Sequence, residues 1–229
     1  MSLPNRDNTY SFDEFLERRN SFDFYRDDPF LQRIVKKYAG NEWDRLDKIL
    51  PEFSPQVSFR WRDLADTVAR PEVRPYLFHY DAHHHRIDRI VRPFETGVLE
   101  KEIFSLGLFS EKTTAWEHFV KLFLINQIGE AGVICPIACT EGLIALIDHY
   151  PDSRVPELNN ILLHCKEGID GDFGIGAQFM SEIQGGSDIP ANLLEAVPHG
   201  QAYRLYGNKF SCSAMHADYA VVTAKESGS

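Results

Sequence analysis

The chain has 229 residues, 43% hydrophobic and 25% charged, with a formal net charge of −10 and a pI near 5.3. This is the make-up of a globular protein of one large or two small domains at about 100–200 residues each, and it excludes a disordered, collagen-like or disulfide-scaffold chain. The acidic excess weighs against nonspecific binding to nucleic acid or to an anionic membrane, both of which take a surplus of Lys and Arg.

Helical signals come first along the chain. Ser11 followed by Glu14 has the spacing of a capping box and opens a short helix with Phe12, Phe15 and Leu16 on one side. Asp28-Pro29 reads as an N-cap with proline at the first helical position, and Gly40 as the C-terminal stop. The helix between them carries Phe30, Ile34 and Tyr38 on one face. Trp43, Leu46, Ile49 and Leu50 form another stripe that ends at Pro51, and Ser58 to Ala69 forms one more before Pro71.

Residues Tyr76 to Pro93 settle on no period and have prolines around them, so they read as an ordered excursion rather than a helix. His83, His84 and His85 lie within it. Adjacent histidines do not share a helix face and no Cys or paired carboxylate has ligand spacing with them, so the reading is a solvated or hydrogen-bonded cluster, with no metal. Helical pattern resumes at Phe94 to Leu106, with Val98, Leu99, Ile103 and Leu106 apolar. Thr114 to Val133 is so broadly apolar that a central helix is expected, broken or kinked at Pro136 before Ile137 to Tyr150 continues it. Pro156 to Gly168 closes the run, with Leu158, Ile161, Leu162 and Cys165 inward.

After Gly168 the character changes. Glycines at 171, 174 and 176 punctuate the chain, and short β-patterned runs follow at Ala177 to Ser181, Asn192 to Val197, Ala202 to Tyr206 and Tyr219 to Ala224. The expected fold class is α+β: an all-helical domain over residues 1–174, then the partial β-domain of residues 175–229.

Four scattered cysteines, Cys135, Cys139, Cys165 and Cys212, have no zinc-knuckle spacing and suit reduced thiols in a cytoplasm. The first residues lack the apolar core of a signal peptide. The longest apolar stretch, Phe119 to Ile147, contains Lys121, Gln127, Glu130, Pro136 and Glu141, so it reads as buried helix with no membrane span.

One loop carries chemistry. Ser181-Glu182-Ile183-Gln184-Gly185-Gly186-Ser187-Asp188 sets adjacent glycines between serines, which lets backbone N–H groups and hydroxyls turn toward an oxygen-rich ligand such as a dinucleotide pyrophosphate. A plain turn is the competing reading. Glu182 and Asp188 read as solvated structural carboxylates, Lys209 as a surface or strand-edge charge, and Cys212 as facing away from Ser211 and Ser213.

The ordered series F-M-S-E-x-x-G-G-S-D-I, then L-x-G-N-K, S-x-S-A and A-D-Y-A-V-V-T-A resembles the flavin-binding start of the β-domain in the acyl-CoA dehydrogenase family. Q-G-G-S-D, Ile134-Cys135-Pro136-Ile137 and Asp81-x-x-x-His85-Arg86-Ile87-Asp88 are most similar to the branch containing the adaptive-response protein AidB. The resemblance implies FAD as cofactor, an acyl-CoA substrate, oxidation of a CH–CH group and a place in fatty acid metabolism. It also implies that the strands are the first of a β-barrel domain.

By that resemblance Met180 and Ser181 face the isoalloxazine ring, Gly186 and Ser187 lie near the pyrophosphate, and Ser213 meets the flavin from the following strands. Ser211 takes the position of an aromatic residue that packs on the ring. The family's base is a Glu of a C-terminal helical domain, which takes the α-proton while the β-hydrogen leaves as hydride. Residue 229 falls inside the β-domain, so the expectation is a truncated chain with no catalytic residue of its own, inactive alone. It would pair with a C-terminal half or act within a homo-oligomer. A noncatalytic AidB-like protective or partner subunit and an inactive remnant are the alternatives.

Overall fold

The computed structural model describes residues 11–150 and 155–228. Helix α1 spans Asp13–Ser21 and α2 spans Pro29–Tyr38. Asp28 is the expected cap: its carboxylate accepts from the N–H groups of Phe30 and Leu31 at 3.0 and 2.9 Å, and Pro29 follows it. The buried face of α2 is Leu31 and Val35, however, and Phe30 and Tyr38 are exposed, so the helix sits rotated from the expected apolar face.

Helix α3 (Trp43–Pro55) does not stop at Pro51. It runs through a π-helical turn, Gln56–Trp61, into α4 (Arg62–Val68). Pro55 has no N–H for the carbonyl of Pro51, and the Arg26 guanidinium fills the vacancy, donating from Nε at 2.9 Å and also from Nη2. Ser54 and Ser58 on the same helix accept the N–H groups of Tyr25 and Phe24 at 3.0 and 2.7 Å, which moors the α1–α2 connection.

The excursion is a β-hairpin, β1 (Tyr76–Tyr80) paired antiparallel with β2 (Arg86–Val91). The His83–His85 stretch forms its exposed tip, with His83 and His85 N–H groups donating to Asp81. Helices α5 (Phe94–Phe104), α6 (Ala115–Asn126), α7 (Ala131–His149) and α8 (Glu157–Glu167) complete the helical part. The break comes at Gly129, with φ 73°, rather than at Pro136. Glycine takes that left-handed turn without strain, Glu130 caps α7 by accepting the Gly132 N–H, and Pro136 sits buried inside α7. On α6, Val120, Leu124 and Ile125 are buried while Phe119 and Phe123 are exposed, so its apolar girth is not that of a fully enclosed helix.

The main core gathers Leu46, Leu50, Val57 and Trp61 against Leu99, Ile103, Val120, Leu124 and Val133. A second cluster of Leu143, Ile144, Ile147 and Cys165 carries Tyr219 and Val221 of the strand region. Helix α7 is 19 residues long and apolar enough to cross a membrane by length and composition, but its inner face is taken up by this packing and by β3.

Strands follow the helices: β3 (Gly176–Phe179), β4 (Glu195–His199), β5 (Ala202–Tyr206), β6 (Tyr219–Val222) and β7 (Lys225–Glu226). β3 pairs parallel with β6, and β4 lies between β5 and β7. The close approach of β3 to α7 depends on Gly176, where a Cβ would come within 2.9 Å of the Thr140 backbone. Its N–H donates to Thr140 Oγ1 at 2.8 Å, and Gln178 Nε2 donates to the Cys139 carbonyl at 3.3 Å. The architecture is therefore a mixed α+β fold in which α7 fixes the strand that leads into the serine-glycine loop.

Candidate functional site

Strand β3 delivers Met180 and Ser181 to a point where both carbonyls are already engaged. The Met180 carbonyl accepts from Asn192 Nδ2 at 2.7 Å, and from Lys209 Nζ and Thr223 Oγ1 at 3.3 Å. The Ser181 carbonyl accepts the Phe210 N–H at 3.0 Å. The 180–181 and 209–210 segments are thereby held side by side, close to Ser211.

Beneath them lies a buried ion pair. Lys209 Nζ stands 3.0 Å from Glu182 Oε1, with side-chain exposures of 6% and 3%. Neither residue is the solvated charge expected from the sequence. Their partners lie 27 positions apart in the chain, a distance at which local pattern carries no information. Glu182 also accepts the N–H groups of Leu193 and Leu194 at 2.6 and 3.0 Å, and the Gln184 amide at 2.7 Å. Burial disfavours its charged form, but the Leu193 N–H, the Gln184 amide, the Leu194 N–H and the Lys209 ammonium outweigh that and hold the carboxyl at about 2.

Above the pair, the loop folds back on Ser181. Glu182 and Gly185 exchange backbone hydrogen bonds at 3.1 and 3.0 Å, and a Cβ on Gly186 would come within 2.6 Å of Ser181 Oγ. A side chain at 186 would have to displace that hydroxyl. Gly186 and Ser187 are exposed, as are Ser211 and Ser213. Ser211 has φ 55°, a left-handed conformation that turns the chain between Phe210 and Cys212. These hydroxyls are suited to donate to an oxygen-rich or ring-nitrogen ligand, so the donor set fits a flavin dinucleotide. No aromatic side chain stands at Ser211 itself.

Cys212 and Ala214, alternating with the exposed serines, face the other way. They line a cavity of about 440 Å³ with Met215, His216, Pro75, Ile90 and Arg92. Behind it, Glu100 on α5 accepts both guanidinium nitrogens of Arg92 at 2.9 and 2.8 Å and lies 2.8 Å from His216 Nε2. Burial works against the Glu100 carboxylate, and His216 and Arg92 together more than offset it, holding its pKa below the usual value. The Glu100 triad was not read from the sequence, and Glu182 and Lys209 were read there as two separate exposed charges and not as a buried pair. The signal for the pair was present, because Glu182 and Lys209 both sit inside the quoted motif segments. Among the described residues, no group of three or more His, Cys, Asp or Glu is arranged to hold a metal ion.

No family model matches the chain. It is 26% identical over 218 residues to acyl-CoA dehydrogenase family member 11 of Caenorhabditis elegans, an alignment covering 88% of this chain and 34% of that protein. Among solved structures it is similar to Caenorhabditis elegans ACDH-11 in complex with C11-CoA, with a TM-score of 0.76 and 25% identity over 88% of this chain and 36% of that one. The apo form of Bd2924 superposes with a TM-score of 0.80 at 22% identity, covering 91% of this chain and 43% of that one, and shows the fold alone. The chain thus spans about a third of the length of the curated relative. Sequence and structure together give a likeness to the acyl-CoA dehydrogenase family, and they lend no support to an AidB-like branch within it.

Proposed function

We propose that this chain is the flavin-facing part of an FAD-dependent acyl-CoA dehydrogenase-like oxidoreductase that acts on a CH–CH group of an acyl-CoA thioester in the cytoplasm. The observation that carries the reading is the fixed seat of Ser181, its carbonyl clamped by the Phe210 N–H and its hydroxyl lying against Gly186. On this reading Met180 and Ser181 support the isoalloxazine ring, Gly186 and Ser187 attend the pyrophosphate, and Ser211 and Ser213 approach from the facing loop. Bound there, FAD would supply the acceptor for a hydride from the acyl β-carbon. The similarity to a protein solved with C11-CoA supports an acyl thioester as the substrate class.

We assign no catalytic residue to the chain. The α-proton must be taken from the side of the thioester away from the flavin, and the family's Glu base belongs to a C-terminal helical domain. On this reading the base would come from the part of the relatives' length that this chain does not cover.

The test is FAD titration of the chain alone and of the chain reconstituted with a C-terminal part from a related dehydrogenase. We expect weak or absent FAD retention alone and a yellow complex after reconstitution. Replacing Ser181 and Ser187 by Ala should then loosen FAD, because each lost hydrogen bond to a strongly polar partner costs about 1–3 kcal/mol. A colourless reconstituted protein, or unchanged affinity in the double variant, overturns the proposal.

A further inference from the structure

Helix α7 carries two of the four cysteines one turn apart, Cys135 and Cys139. Residues four apart share a helix face, and the two Sγ atoms stand 4.0 Å from each other, with both residues partly buried. The backbone between them is held from outside the helix. Thr140 Oγ1 donates to the Pro136 carbonyl at 2.7 Å and accepts the Gly176 N–H at 2.8 Å, while Gln178 Nε2 donates to the Cys139 carbonyl at 3.3 Å. The turn that bears the thiols is thereby tied to β3.

That anchoring separates two fates of a dithiol. A disulfide needs its Cβ atoms at about 3.5–4.5 Å and its sulfurs at about 2.0 Å. Helix neighbours four apart hold their Cβ atoms at about 5–6 Å, and this turn cannot tighten without disturbing its bonds to β3. A bridging ion needs no such movement. Two sulfur–metal bonds of about 2.3 Å each, the length of a zinc–thiolate bond, span up to about 4.6 Å, so an ion fits between the sulfurs where they stand.

The ligand count then selects the ion. Structural zinc takes four ligands, and among the described residues no third His, Cys, Asp or Glu joins the pair. Calcium and magnesium take oxygen, which the pair does not offer. Thiolates favour soft ions, and monovalent copper is the soft ion that two sulfurs alone can satisfy.

We propose that Cys135 and Cys139 form a two-coordinate thiolate site for monovalent copper. Each thiol gives up its proton as the ion binds, so two S–H bonds are replaced by two S–Cu bonds and two protons pass to solvent. Neither sulfur nor copper changes oxidation state. The site is complete within α7 and does not rest on the flavin reading.

The experiment is an anaerobic titration of the reduced full chain with monovalent copper held by bicinchoninate, a coloured competing chelator. Wild type is compared with Cys135→Ser, Cys139→Ser and Cys212→Ser, and an alanine series at the same positions guards against a variant that does not fold, as judged by circular dichroism. We expect wild type and Cys212→Ser to withdraw one copper per chain. Each change at 135 or 139 should weaken binding by about a hundredfold, the order expected for one lost thiolate ligand. X-ray absorption at the copper edge should show two sulfur neighbours. No withdrawal by wild type, binding that survives loss of either Cys135 or Cys139, or one copper shared between two chains overturns the proposal. So does ready closure of a Cys135–Cys139 disulfide in the folded chain under oxidised glutathione, because the turn would then not hold the sulfurs apart.

Discussion

Glu182 and Lys209 meet at 3.0 Å with almost no exposure, and between them they bind backbone groups of Leu193, Leu194 and Met180 at the candidate flavin site. Glu182 fixes the N–H groups of Leu193 and Leu194, while Lys209 reaches the Met180 carbonyl and Thr223 Oγ1. Removing one partner of a buried pair strands the other charge, whereas removing both is far better tolerated. Lys209→Met should therefore lower the urea midpoint more than the Glu182→Gln/Lys209→Met double variant does. Equal losses in the two proteins would show that the pair is not coupled.

The same carboxylate sets an acid limit. Its value in the folded chain is about 2 against an ordinary 4.5, so its contribution is complete above about pH 4.5 and is lost as the pH falls toward about 2. Stability measured through that window should fall more steeply for wild type than for Glu182→Gln. Parallel curves would contradict the assignment.

Glu100 ties α5 to the loop before β6 through Arg92 and His216. Hydrogen bonds to a charged group are worth about 1.5–3 kcal/mol, so Glu100→Gln should destabilise the chain by about that amount. It should also speed hydrogen exchange across residues 212–218. An unchanged exchange rate there would mean that the triad does not anchor the loop.

Helix α6 offers a test of which face is inward. Leu124→Ala, at a fully buried position, should cost about 2–5 kcal/mol, while Phe119→Ala, at an exposed one, should stay within about 0.5 kcal/mol. A reversed order in denaturant titrations would turn the helix over.

Much of the fold was legible because it rests on local chemistry. The Asp28-Pro29 start of α2, the left-handed Gly40 stop and the stripe that buries Leu46 and Leu50 follow from capping, backbone freedom and helical period. The strands fell where alternation replaced that period. The hairpin escaped because Tyr76 to Tyr80 is apolar on both faces, so no alternation marks it as a strand. The continuous helix through Pro51 and Pro55 escaped because its missing hydrogen bond is made good by Arg26, from a different part of the chain.

The sequence by itself determined most of the helices, the change to strands after Gly168 and the serine-glycine loop, because caps, turns and hydrophobic period act within a few residues. Only the tertiary structure decided that Glu182 and Lys209 are buried partners, that Glu100 gathers Arg92 and His216, and which side of α2 and α6 faces inward. Those outcomes depend on desolvation and on contacts between segments far apart in the chain, and neither leaves a periodic trace along it.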